Sequence, residues 1–468
     1  MDTYKLIAIS VTSIGSLLAV INSTSLLISL PTIMISLHTS FFFIIWILVV
    51  YPLVMTIGAP LFGRYSDFVG RNKLYGLGYL FFIVGSTLAA LSPNAPILLL
   101  SRIFQGLGGA LLFSNSLAII ADAFRQDELK WAIGMNSLII GIATAVGPLV
   151  GGILTAFNWR YVFVFNIPFG IVGYIMSLRL REIQKRKVSI NWKPSLFFSI
   201  FIVSIVIYLT FAPPDMWLSP PDLAFLIVSI ISFILFIMSG RGRDDSLIDI
   251  SLFRIREFAT QAIATFLNSI TRYSALLIVI IMLQGPLGIS PLRSSILVIP
   301  YALSLSVSSY LVGNLDTRKM ENDLIYAGLF LSFFGSLLLS LIRSVNIPFY
   351  IGLVMVGFGI GLFYTPSNAI LMSAAPPDRR GSAAGMRTVI LNMGSVIGMS
   401  LVFTIVALYV PENVLSYAFL GIKISGFETV KNSFLKGISI TFLVSGIASL
   451  LALMAVLMER LSKSRMHS

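Results

Sequence analysis

Two arginines sit where arginine is rare, deep inside long apolar stretches: Arg102 and Arg272. Gln105 follows Arg102 by three residues and Asn268 precedes Arg272 by four, so each pair shares one helix face. Gln261 and Thr265 extend the second pair into a polar stripe at steps of four, three and four, which should point to a cavity. Placing an arginine inside a bilayer costs about 2.5–3.5 kcal/mol on insertion scales, so a functional site is the first reading. A structural arginine bonded to backbone carbonyls is the plainer one. Asn22 is a third polar position, with Ser25 and Ser29 at helical spacing ahead of Pro31. It lines a cavity, or it makes an interhelical hydrogen bond worth roughly 0.6–2 kcal/mol. An amide cannot exchange a proton near neutral pH. No Asp or Glu falls near the middle of any apolar stretch, and guanidinium and amide groups without an acid favour anions or neutral amphipaths over cations.

Catalysis is not in prospect. There are no cysteines, and the only histidines are His38, in an expected outer loop, and His467, at the tail, so thiolate or intramembrane histidine metal sites are excluded. No nucleophile–base or nucleotide-binding constellation occurs, and no cofactor or metal is expected. The chain has 468 residues, 57% hydrophobic and 11% charged, with a mean hydropathy of +0.95. That composition belongs to a polytopic all-α membrane protein, not a soluble core. Fourteen spans are expected, at about 6–30, 41–61, 74–91, 96–119, 130–154, 160–178, 194–212, 222–239, 258–282, 291–312, 323–343, 347–371, 381–408 and 434–458. The first is long enough to be a true span, so no cleaved leader is expected. An even count puts both termini on one side. Of 32 Lys and Arg, 23 fall in the termini and loops of that side, which makes it cytoplasmic. The net charge of +13 therefore reflects orientation in the membrane, not nucleic acid.

The spans group as six, two and six. Residues 1–178 form a first bundle, 179–257 hold basic linkers and an inserted two-helix hairpin, and 258–468 form a second bundle with a cytoplasmic tail. Between spans 2 and 3 lies Gly63-Arg64-Tyr65-Ser66-Asp67-Phe68-Val69-Gly70-Arg71-Asn72-Lys73, short, charged and punctuated by glycine. Gly63 and Gly70 are expected to permit a tight turn. A degenerate second copy, Gly313-Asn314-Leu315-Asp316-Thr317-Arg318-Lys319, falls at the corresponding place in the second half. Repeated halves flanking a midplane site are a common transporter plan.

The 63–73 loop resembles the signature loop of the major facilitator superfamily. Arg102 to Ala110 is similar to that superfamily's fourth-span pattern, whose arginine is implicated in proton transfer. Gly141, Gly147, Pro148, Gly151 and Gly152 in span 5 resemble the antiporter motif of its exporters. There, glycines at four-residue spacing make a smooth packing groove and the proline bends the helix. Val20–Pro31, together with Phe163, Asn166, Pro168 and Gly170, is similar to the 14-helix drug/proton antiporter family. That family usually carries an aspartate where this chain has Asn22. The resemblance implies a conformational latch at the cytoplasmic face. Arg71 would pair with Asp122, and Asp67 would approach the start of span 13 (Gly381, Ser382) or Arg387. Arg387 can also snorkel.

The resemblance implies two six-helix bundles plus a two-helix insert, working by alternating access in the plasma membrane. The expected activity is export of small amphipathic compounds by proton antiport. The substrate is expected to be anionic or neutral, with Asn22, Arg102, Gln105, Asn268 and Arg272 at the substrate and coupling sites. Protons and membrane lipids are the other expected partners, and the chain is expected to act as a monomer. An uncoupled facilitator or importer of an organic anion, and a non-transporting membrane sensor with the same fold, stay open at this point.

Overall fold

The computed structural model describes residues 3–181, 192–211, 219–240, 250–314, 320–376, 379–410 and 427–466. These form α1 (Thr3–Ser36), α2 (Phe41–Val69), α3 (Arg71–Ala90), α4 (Ala95–Ala123), α5 (Gln126–Phe157), α6 (Tyr161–Val164), α7 (Asn166–Ser177), α8 (Trp192–Phe211) and α9 (Pro220–Gly240). A 3-10 turn at Ile250–Arg254 precedes α10 (Arg256–Gln284), α11 (Pro291–Leu297), α12 (Ile299–Asn314), α13 (Glu321–Ser340), α14 (Ile347–Ala374), α15 (Arg380–Tyr409) and α16 (Phe427–Met466). Among the described residues, thirteen helical stretches are long and apolar enough to cross a bilayer, and Tyr161–Ser177 adds a shorter apolar one. This is the all-helical, many-span architecture expected.

The expected tight turn at 63–73 is corrected. α2 continues as helix through Gly63 to Val69, and the break is a single residue, Gly70, at φ 121. Gly63 is an ordinary helical position: a Cβ there would meet Ser114 Cβ at 3.7 Å, normal van der Waals contact. Only Gly70 needs the conformational freedom of glycine. It ends α2 by donating its N–H to Ser66 O at 2.9 Å and opens α3 directly. Spans 6 and 10 are each broken once, at Phe165 and Val298, shortly before Pro168 and Pro300. A proline lacks the N–H for the helical ladder, and its ring crowds the carbonyl four residues back. Most of the second copy of the loop, residues 315–319, lies outside the described residues.

The chain divides into two compact units, Met1–Ser199 with Phe233–Ile248, and Ile200–Ser232 with Asp249–Ser468. The boundaries fall within α8 and α9. These two are the least buried spans, with 33% and 22% of their most apolar windows buried, and α9 presents Ile227, Ile230, Ile231 and Ile234 outward. Inside the first unit α3 packs on α4, α2 on α4, α1 on α5, and α7 on both α1 and α3. Inside the second, α13 packs on α14, α12 on α14, α10 on α15, and α16 on both α10 and α13. The two neighbour lists correspond helix for helix, as an internal repeat requires.

The repeat reaches down to caps and glycines. Asn94 accepts from Ile97 N at 3.1 Å at the start of α4, with Pro96 in the first turn. Asn346 accepts from Phe349 N at 3.1 Å at the start of α14, with Pro348 in the first turn. A side-chain oxygen on an N-terminal amide and a proline where no donor is needed both favour helix initiation. A Cβ at Gly108 would stand 2.7 Å from Gly78 O, and one at Gly328 would stand 2.6 Å from Gly359 O, so both α3–α4 and α13–α14 cross at a glycine pair. Lipid is as apolar as leucine, so such close packing, with interhelical hydrogen bonds, drives association here in place of the hydrophobic effect.

Candidate substrate and coupling sites

In the first unit Arg102 is wholly enclosed. Its Nε donates to Ile47 O at 3.1 Å and its Nη1 to Gln105 Oε1 at 2.6 Å. Gln105 Nε2 passes on to Ser86 Oγ at 2.9 Å. The guanidinium carbon lies 4.5 Å from the centre of the Tyr51 ring, and the Tyr51 hydroxyl donates to Ala19 O at 3.1 Å. Two charge-assisted hydrogen bonds at about 1.5–3 kcal/mol each, with a desolvated cation–π contact of about 2 kcal/mol, are enough to offset the insertion cost. The chain α4–α2–α1 is thereby cross-linked through one buried cation. Tyr51 and Ser86 are partners that sequence reading missed, because neither stands out from its neighbours by type or spacing.

Asn22 is also fully buried. It accepts from Asn166 Nδ2 at 3.1 Å, tying α1 to α7. The other half of each amide, Asn22 Nδ2 and Asn166 Oδ1, makes no hydrogen bond in the structure. Around this pair α1 is bound to α5. Asn136 Nδ2 donates to Ser16 Oγ at 3.3 Å, and Ser29 Oγ and Thr155 Oγ1 are 2.6 Å apart. Between those bonds the α5 glycines face α1. A Cβ at Gly147 would collide with Thr24 Oγ1, and one at Gly151 would stand 2.7 Å from Ser25 Cα. Pro148 and Gly152 are buried in the same stretch, whereas a Cβ on Gly141 would meet nothing within 4 Å. The second unit repeats this groove at Gly394 and Gly398 of α15, where a Cβ would stand 2.7 Å from Phe266 O and 2.9 Å from Ile270 O of α10. The same four-residue spacing was present in the sequence.

The polar stripe of α10 divides in two. Its lower half is spent on α14: Ser367 Oγ donates to Gln261 Oε1 at 2.7 Å and lies 3.3 Å from Thr265 Oγ1. Its upper half faces aromatic rings. Asn268 is 1% exposed and its Nδ2 has no acceptor. The Arg272 guanidinium lies 5.4 Å from the ring centres of both Tyr273 and Tyr364, and Tyr301 OH donates to Arg272 O at 3.2 Å. Arg387, on α15, lies 5.2 Å from the same Tyr364 ring and donates through Nε to Asn368 Oδ1. Tyr364 and Asn368, both on α14, were not visible as site residues in the sequence. In α14 itself, Gly357, Gly359 and Gly361 are packed against α12 and α13.

At one end of α3 and α4 in the first unit, Arg71 Nη1 donates to Asp122 Oδ2 at 2.7 Å, joining the two helices with both side chains under a third exposed. The side chain of Asp67 is not among those described, so the contact expected between Asp67 and the start of α15 lies outside the described structure. Lys5 donates to Glu128 between α1 and the start of α5.

Two helical units of one internal plan, with buried arginine and amide groups inside bilayer-length helices, define a polytopic membrane transporter fold. The family model for the Major Facilitator Superfamily matches residues 12–399, with a second match over 261–467, and the chain belongs to that superfamily. It is a transporter, not an enzyme. The chain is 27% identical over 384 residues to Multidrug resistance protein 3 of Bacillus subtilis (strain 168), covering 81% of this chain and 75% of that one. It is 26% identical over 401 residues to the riboflavin transporter RibZ of Clostridioides difficile (strain 630), with 84% and 86% covered. Multidrug resistance protein Stp of Mycobacterium tuberculosis is 28% identical over 414 residues, with 87% and 77% covered. Among solved structures, a bacterial homologue of the human lysosomal transporter Spinster superposes with a TM-score of 0.66 at 13% identity, covering 97% of each chain. The likeness in that case is of fold alone.

Proposed function

We propose that this protein exports small amphipathic compounds, anionic or neutral, by alternating access in the plasma membrane, with both termini in the cytoplasm. The observation that carries the substrate side of this reading is the Asn22–Asn166 amide pair. Where the drug/proton antiporters it resembles usually hold an acid, this chain buries two neutral amides joined by a 3.1 Å hydrogen bond. No Asp or Glu lies near the middle of any span, so nothing there offers a counter-charge to a cationic drug. The names of the multidrug resistance relatives support export, and that of the riboflavin transporter supports an aromatic, amphipathic cargo. The Arg71–Asp122 pair fits a cytoplasmic latch, and the α5 groove fits the helix packing of an exporter.

Export is tested in everted vesicles with dyes of matched size and opposite charge. An anionic dye is expected to accumulate and an ethidium-like cation is not; the reverse result ends the charge assignment. The same amide pair favours a second reading, a facilitator without proton coupling. Proteoliposomes with an imposed pH gradient separate the two. Gradient-driven flux in the wild-type protein supports antiport. Flux that ignores the gradient until Asn22→Asp is introduced supports the facilitator.

A further inference from the structure

We propose that the second unit holds a binding site for the anionic group of an aromatic acid, built by Arg272, Arg387 and Tyr364. The proposal rests on the export reading for its cargo but on separate residues for its chemistry. Two guanidiniums on different helices, α10 and α15, lie 5.4 and 5.2 Å from the centre of one ring on a third, α14. Like charges repel, and nothing in helix packing requires two cations to gather on one tyrosine. An anion that both could reach would remove the repulsion.

The backbone of one arginine and the side chain of the other are anchored by neighbouring groups. Tyr301 OH fixes the Arg272 backbone through its carbonyl at 3.2 Å, and Asn368 Oδ1 takes the Arg387 Nε–H. The terminal nitrogens of a guanidinium form a planar fork that matches a carboxylate, sulfonate or phosphate. Arg272, Tyr273, Tyr364 and Arg387 are all only partly buried, unlike the enclosed Arg102, so the cluster is open to a ligand. Asn268 supplies an independent sign. Its Nδ2 donor, one helical turn from Arg272, is 99% buried and has no acceptor. An oxygen-rich anionic group would satisfy it. Tyr364 and Tyr273 offer ring faces for an aromatic body. The ligand class is therefore an acidic group carried on a planar apolar frame. A lysophospholipid headgroup shares the anionic half of that chemistry but not the aromatic half.

The test uses full-length protein in lipid nanodiscs and three probes: 2-naphthoate, its neutral amide 2-naphthamide, and lysophosphatidylglycerol. The wild type is expected to bind naphthoate more tightly than naphthamide. Arg272→Gln and Arg387→Gln are expected to weaken naphthoate binding about tenfold or more, the scale of one lost charge-assisted hydrogen bond. Naphthamide binding should stay within about twofold, which also certifies the fold of each variant. Arg387→Lys keeps the charge without the fork and is expected to fall between. Tyr364→Leu should weaken both naphthalenes and spare the lysolipid. The proposal is overturned if naphthoate binding is unchanged in both glutamine variants, if acid and amide weaken together, or if only the lysolipid binds. Naphthoate bound at these residues but not exported would sink the export reading and leave the site standing. Naphthoate exported equally well by both glutamine variants would do the opposite.

Discussion

A buried cation in this protein is defined by what it touches. Arg102 and Arg272 read alike in the sequence, each a lone arginine in an apolar span. The structure gives them different surroundings: Arg102 is enclosed by a carbonyl, a glutamine and a tyrosine ring, while Arg272 stays partly open among tyrosines. Type and spacing identified both, but the difference lies in partners on other helices, Tyr51 and Tyr364, whose positions depend on packing. Where α1 meets the start of α5, Lys5 donates to the half-buried Glu128 and, chiefly through that hydrogen bond, holds its carboxyl below the usual range. A lowered folded-state value means the contribution to stability is fully present above the unfolded carboxylate pKa of about 4.3 and is lost as pH falls through the lower folded value. Melting temperatures of wild type and Lys5→Met should therefore differ by a constant amount from about pH 5.5 to pH 8, and the difference should shrink as pH falls below the unfolded value and vanish once it is below the lowered folded one. A difference that persists unchanged at low pH would show that Lys5 acts by packing alone.

Among the helices, the seams matter more than the helices themselves. Apolar runs of bilayer length made the spans legible, and thirteen long helices with one shorter apolar stretch follow them closely. Their interruptions were less legible. The loop at 63–73 reads as a turn because it is charged and glycine-rich, yet charged residues extend a helix into the headgroup region without difficulty, and only Gly70 adopts a positive φ. Of the groove glycines, Gly151 of α5 and Gly398 of α15 are constrained by the backbone of α1 and α10, whereas a Cβ at Gly147 would meet the Thr24 side chain first. Gly151→Ala places a methyl against Ser25 Cα and is expected to lower stability by about 1–3 kcal/mol, with transport reduced in proportion. Gly141→Ala meets nothing within 4 Å and should leave stability unchanged or raise it by up to about 1 kcal/mol, from helix propensity alone. Thermal unfolding of the two variants side by side is the measurement. Equal losses would mean that the glycines matter for flexibility, not for contact.

For the whole molecule, the distribution of basic residues predicts its orientation, and the absence of cysteine makes that prediction simple to test. His38 and Met320 are both exposed, at ends of helices that the charge count assigns to opposite faces. In intact cells His38→Cys should react with a membrane-impermeant maleimide and Met320→Cys should not, until the membrane is opened. Labelling of Met320→Cys from outside would invert the topology. The internal repeat was only faintly written in the sequence, as a degenerate second loop. It is plain in the structure because it resides in neighbour relations, cap residues and crossing points, which tolerate wide divergence of side chains. Where α1 meets α5 and α10 meets α15, those crossings bring bare backbone against backbone. Interlocked side chains act as teeth, and moving one helix along another then means climbing out of each notch. A strip of glycine has no teeth. Sliding along it meets little friction, so a single added methyl is a brake as well as a wedge, and turnover should feel it more at low temperature than at high.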